Sequence, residues 1–411
     1  RAPKSWASPM GVGSSGTNCS DDTARHSSAR CSGAMFAVLN LKGTSAFSRM
    51  LCRPDKMQLK FGRSAGDESG HVAHPLPMAI STRLTRRYNC TYPFAGAGMA
   101  FVAGTEALAS AVATAGGVGG VGVGFTPPDE LRSMIRSIRD VTDGPFHLNF
   151  LTIFGNEEQA RVAAEEQVPI VSYHWGHPPR EQLKMLQDAG VSIWEQVGSV
   201  EAARIAVDDG VDAVVAQSWE AGGHNYGGLP AMIQIPTIVD AVGADAMVIA
   251  AGGITDGRQV AAALCLGADG VWVGTRLVAS NEAVVHPEHH ARIVAATSDD
   301  AVMSSIFGPE LPDFNPMRLL RNRVVNEWND RLEEVPTQRD DLEVVGETVF
   351  MGQSMPMRKF PNLLPVPETT GDWEEMPWLA GQGVGLINDI RPAGDIVRQM
   401  MSEAETVLLT Y

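Results

Sequence analysis

The stretch Met247-Val248-Ile249-Ala250-Ala251-Gly252-Gly253-Ile254-Thr255-Asp256-Gly257 runs five apolar residues into a glycine pair and then into a helix start. A strand that is apolar on both sides is what a helix-covered parallel sheet requires, because neither of its faces meets water. The plan repeats at once in Gly270-Val271-Trp272-Val273-Gly274-Thr275-Arg276. The same unit recurs at intervals of about 20 to 30 residues. Candidate strands are Pro93 to Ala97, Val118 to Val123, Phe146 to Leu151, Pro169 to His174, Ser192 to Val197, Ala213 to Gln217, Met247 to Ala251 and Gly270 to Gly274. Eight such strands separated by amphipathic helices predict an α/β fold, a closed (β/α)8 TIM-type barrel. A doubly wound sheet uses the same units, but it would more often have fewer strands and an early dinucleotide fingerprint.

The chain has 411 residues, enough for one large barrel with an added lobe. Residues 1 to 77 are rich in Ser, Gly and Arg, with ten Lys/Arg against five Asp/Glu and no sustained periodicity. They are expected to be a disordered or non-native leader, although an organellar transit peptide has a similar composition. Residues 78 to 280 would form the barrel. Residues 281 to 378, richer in Pro, Met and charge, would form a smaller, mostly helical lobe. Residues 379 to 411 would return to the barrel, with Ile396 to Leu409 as its closing amphipathic helix.

Composition sets further limits. Hydrophobic residues make up 44% and charged residues 19%, as in a core-forming chain. The net charge of -16 opposes any role in wrapping nucleic acid. Five cysteines, none paired at metal or redox spacing, fit a reducing compartment and a cytoplasmic protein. The longest uncharged run, Ala107 to Pro128, carries six glycines and two prolines and is poor material for a membrane span. Monomer and homodimer both stay open.

In such barrels the chemistry sits where strands end. Those positions are Gly96-Ala97-Gly98-Met99, Asn149, His174, Gln196, Gln217, Gly252-Gly253 and Gly274-Thr275. Amides and an imidazole dominate, with no metal-spaced cluster and no nucleophile elbow, so an organic cofactor is expected to carry the reaction. Glycine turns ending the last two strands suit a phosphate bound on backbone amides. Ala221-Gly222-Gly223-His224 would let the backbone approach a planar ring closely. Asn149 and Gln217 could bond a flavin edge or be satisfied inside the barrel. His174 could be a general base or a structural histidine. His147, His177, His286, His289 and His290 look like solvated or loop residues.

Together these motifs, with Ser172-Tyr173-His174-Trp175-Gly176 and the late Ala380-Gly381-Gln382-Gly383-Val384-Gly385-Leu386, resemble the nitronate monooxygenase family, formerly the 2-nitropropane dioxygenases. The resemblance runs from about Thr82 to the end. It implies bound FMN, contacted by Ala97, Gly98, Met99, Asn149, Gln217, Gly222, Gly223, His224, Gly252, Gly253, Gly274, Thr275, Gln382 and Gly383, with His174 as the active-site base. The implied reaction is oxidative denitrification of an alkyl nitronate with O2, giving a carbonyl compound and nitrite. Two departures concern the pocket: Tyr173 and Trp175 flank the histidine where phenylalanines are expected, and Asn225-Tyr226 replaces a shorter, often Arg-bearing turn. The competing readings are an NAD(P)H-dependent FMN reductase acting on a quinone or enoyl thioester, and a non-catalytic flavin- or phosphate-binding module.

Overall fold

The computed structural model describes residues 58–60 and 79–410. The expected leader therefore lies outside the described residues, except that Gln58–Lys60 pairs antiparallel with Ala79–Ser81.

Eight parallel strands follow: β1 (Phe94–Gly96), β2 (Gly119–Gly122), β3 (Phe146–Leu151), β4 (Ile170–His174), β5 (Ser192–Val197), β6 (Ala213–Gln217), β7 (Met247–Ala251) and β8 (Gly270–Val273). From β2 to β8 each strand pairs with the next, and β8 pairs with β1. A parallel bridge between Ala95 and Val118 closes the ring. The helices between strands bury one stripe against it. In α2 (Pro128–Val141), which follows α1 (Glu106–Thr114), Pro128 sits at the start, Asp129 and Glu130 face the positive helix end, and Leu131, Ile135 and Ile138 are buried. Next come α3 (Glu157–Glu165), α4 (Arg180–Asp188), α5 (Val200–Asp208), α6 (Ala231–Val242) and α7 (Gly257–Cys265).

Inside the ring, Trp194 and Trp272 pack with Ala95, Val215 and Ile249. At the amino end, the short helix Arg83–Tyr88 is anchored by Arg83 Nε donating to Asp269 at 2.7 Å, while Trp194 Nε1 donates to the Tyr88 hydroxyl at 2.8 Å. That end is plugged, so access to the interior lies at the carboxyl ends.

The lobe departs from the mostly helical expectation. It has α8 (Pro287–Ala295) but also an antiparallel pair, β9 (Ala301–Ser304) with β10 (Met317–Leu320), and a hairpin, β11 (Val344–Phe350) with β12 (Gln353–Arg358). The β-branched residues Val344, Val345, Thr348 and Val349 favour strand, and Met351 and Gly352 both take the positive φ that a tight hairpin turn needs. β10 also pairs with Gly223–His224, which stitches the lobe to the loop after β6. The last helix, α9 (Ala393–Thr410), returns against α7. A Cβ on Gly257 would lie 2.3 Å from Glu403 Cβ, so that packing needs glycine.

Candidate active site

A cavity of about 530 Å³ opens at the carboxyl ends of the strands, within the range of small-molecule and cofactor sites. Every position expected to touch a cofactor lines it except Gln382, and His174 and Gln196 line it too. Gln382 lies beside it, its backbone N–H donating to the Glu220 carbonyl.

The cavity floor is built from interlocking glycine turns. Gly223, Gly252 and Gly253 have φ of 72°, 103° and 70°. A Cβ on Gly222 would stand 2.4 Å from the Gly381 nitrogen, and one on Gly383 would stand 2.7 Å from Thr255. Thr275 Oγ1 accepts from the Gly381 N–H at 2.9 Å, joining the turn after β8 to the returning chain. Asp256 and Gln259 cap α7 reciprocally, so that helix end is satisfied by its own side chains.

Gln217 lines the cavity with both ends of its amide engaged. Its Nε2 donates to the His224 carbonyl at 3.0 Å, and its Oε1 accepts from the Tyr226 N–H at 3.3 Å. Asn225, the departure in this loop, donates to the carbonyls of Ser218, Trp219 and Ala221 and accepts from the Gly227 N–H. It holds the loop from within.

Asn149 is set by a buried relay. His147 Nε2 lies 2.8 Å from the Gly96 carbonyl and must donate to it. Burial pushes the His147 ring down to about 4, so it is neutral and Nδ1 offers only a lone pair. The Ser172 hydroxyl, 2.9 Å away, donates to that lone pair. Its single proton is then used, so the Asn149 amide atom placed as Oδ1 at 2.9 Å from the same hydroxyl is assigned, from this hydrogen-bond pattern, as the NH2 group. The amide oxygen is left for the cavity. His147 is therefore neither solvated nor in a loop, and His289 is buried as well. An inward position in the third strand, two residues before Asn149, was the available sequence signal for His147.

His174 ends β4 and stacks on Tyr226 at 5.5 Å between ring centres. Its Nε2 lies 3.5 Å from the Gln196 amide, and its Nδ1 is buried without a hydrogen-bond partner. Burial, reinforced by neighbouring His224, lowers its pKa to about 3, so the ring is a neutral proton acceptor at ordinary pH. His224 is held near 4 by burial, and its Nδ1 donates to the Phe314 carbonyl. Tyr173 points away from the cavity and donates to Gln182. Trp175 packs behind the site against Tyr226 and Phe314. The aromatic substitutions beside His174 thus leave the floor of the cavity unobstructed.

These features fit a flavin. The glycine turns leave room where side chains would intrude, Asn149 offers a fixed amide, and His174 Nδ1 and Thr255 Oγ1 are buried polar atoms lacking partners. Among the described residues no cluster of metal-ligating side chains occurs, and no helix is long and apolar enough to cross a membrane.

A model of the nitronate monooxygenase family matches residues 81–161 and 152–403. A curated relative from Mycobacterium tuberculosis, (3aS,4S,5R,7aS)-5-hydroxy-7a-methyl-1-oxo-octahydro-1H-indene-4-carboxyl-CoA dehydrogenase, is 29% identical, over 81% of this chain and 98% of its own. The structure of FabK from Thermotoga maritima is 33% identical with a TM-score of 0.65, covering 80% of this chain and 98% of that one. A nitroalkane oxidase from Streptomyces ansochromogenes is 26% identical with a TM-score of 0.63, covering 79% and 99%.

Proposed function

The chain belongs to the nitronate monooxygenase family, and from that premise we propose that it oxidises alkyl nitronates with FMN and O2, releasing a carbonyl compound and nitrite. The observation that carries this reading is a neutral, buried imidazole, His174, opening on the same cavity as the glycine turns.

FMN, when bound, supplies the two-electron chemistry between nitronate and O2. The chain's own residues do the rest. Backbone at Gly252, Gly253, Gly274 and Thr275 would hold the phosphate, and Asn149 would fix the ring edge. His174 accepts a proton from the carbon of a neutral nitroalkane; the anion formed beside it raises the imidazole's proton affinity and so favours the transfer. With a preformed nitronate that step is not needed. The lobe and the loop after β6 limit bulk water around the reacting carbon.

A second reading, a dehydrogenase or reductase driven by a pyridine nucleotide, is favoured by the near full-length match to a CoA-substrate dehydrogenase. The deciding experiment is the visible spectrum of the flavin-loaded protein, recorded anaerobically with an alkyl nitronate or with NADH. Bleaching by the nitronate alone supports nitronate oxidation, with nitrite release as the follow-up. Bleaching by NADH alone moves the assignment to the reductase.

A further inference from the structure

The outer half of the cavity has a different chemistry from its floor. Phe101, Phe125 and Phe154, from the loops after β1, β2 and β3, meet Phe314 and Phe350 from the lobe. Their rings form a continuous chain: Phe101 to Phe350 at 6.1 Å, Phe350 to Phe125 at 5.7 Å, Phe125 to Phe154 at 4.9 Å and Phe154 to Phe314 at 5.6 Å. Phe314 stacks on His224 with ring centres 3.5 Å apart, which joins the collar to the histidine side of the floor. Phe125 remains 42% exposed, although burying such a ring is worth a few kcal/mol. An apolar surface held open beside a reaction site is what an apolar ligand covers. Among the described residues lining the cavity the one formal charge is Arg339, already paired with Glu310. A short or anionic tail would therefore gain nothing from these walls.

We propose that this collar binds an extended apolar chain, so that the substrate carries an alkyl tail next to its reacting carbon, with Phe125 and Phe350 as specificity-determining residues. The identity of the reacting end rests on the nitronate reading; the tail does not. A tail lying along the five rings would leave the reacting carbon at the floor, within the reach of His174.

Two measurements on the flavin-loaded full chain test this. In the first, kcat/KM is compared across the nitronates of nitroethane, 1-nitrobutane, 1-nitrohexane and 1-nitrooctane. It is expected to rise by up to about four-fold per methylene, the factor that about 0.8 kcal/mol per buried methylene implies. In the second, calorimetric titration with the matching 1-alkanols reads the collar without turnover, and Kd is expected to fall with chain length. Phe350→Ala and Phe125→Ala should each flatten both trends, and Phe125, being half-exposed, is the substitution that leaves folding least affected. Length-dependent alkanol binding with no nitronate turnover upholds the collar and removes the nitronate reading. Alkanol affinity independent of length overturns the collar, whatever the turnover shows.

Discussion

Lowering the pH from 7 to 5 should cost this protein much of its stability, above the range in which ordinary carboxylates protonate. Burial holds His147, His224 and His289 near 4 and His174 near 3. In the unfolded chain each histidine titrates near 6.5, so as pH falls the unfolded state takes up protons that the folded interior refuses. The folded pKa values lie below the unfolded ones. Stability is therefore complete above about pH 7 and drains away as pH drops through 6.5 toward 4. Between pH 7 and 5 each histidine accounts for a loss of roughly 2 kcal/mol. Glu195 acts in the opposite sense. Burial raises it to about 7, so the folded state binds its proton first, returning roughly 2 kcal/mol over the same interval. The four histidines together cost about 7 kcal/mol and Glu195 returns about 2, a net loss of about 5 kcal/mol, comparable to the whole stability of many domains. Urea unfolding followed by tryptophan fluorescence at pH 7, 6 and 5 measures it. His289→Gln keeps a donor for the Leu379 carbonyl, 3.0 Å from His289 Nε2, and should reduce the net slope by more than a third. An unfolding free energy at pH 5 equal to or above that at pH 7 would refute the reasoning.

Other outcomes follow from the site itself. His174→Asn should keep FMN and lose about 100-fold or more on neutral nitroalkane, and far less on preformed nitronate; equal losses would remove the base role. Gly253→Val places a β-branched residue at φ 70° with its Cβ 3.1 Å from Glu220 Cβ, and is expected to expel FMN. Gly228→Ala, with nothing within 4 Å of the added carbon, is the control; equal flavin retention by both would reject the phosphate placement. Ser172→Ala leaves His147 Nδ1 without a donor, at a cost of about 1 to 3 kcal/mol, and frees the Asn149 amide to turn. Its melting temperature should fall and its FMN Kd rise, and no change in either would contradict the relay.

Much of the architecture is legible along the chain because it is written locally. An apolar run as short as Met247 to Ala251, bounded by a glycine pair, reads as a strand that satisfies its backbone beside other strands, and the glycines after it mark where the backbone turns through positive φ. Counting such units predicts the barrel, and strand ends predict which residues share its mouth. The lobe was harder to read, since Val344 to Phe350 finds its partners through a tight turn and through Thr370–Gly371, well downstream. Its β-branched residues favour strand, but nothing local to them says which segments they pair with.

The barrel, its glycine turns and the ring of amides and imidazole at its mouth can be read along the chain, because each depends on residues adjacent in it. What those side chains do depends on contacts made in the folded molecule. Gln217 is occupied by its own loop, Asn149 is oriented through Ser172 and His147, and five phenylalanines from three barrel loops and the lobe line up in one chain of ring contacts. Hydrogen-bond polarity and ring contact depend on atoms a few ångströms apart in space but tens to hundreds of residues apart in sequence, and folding alone brings them together.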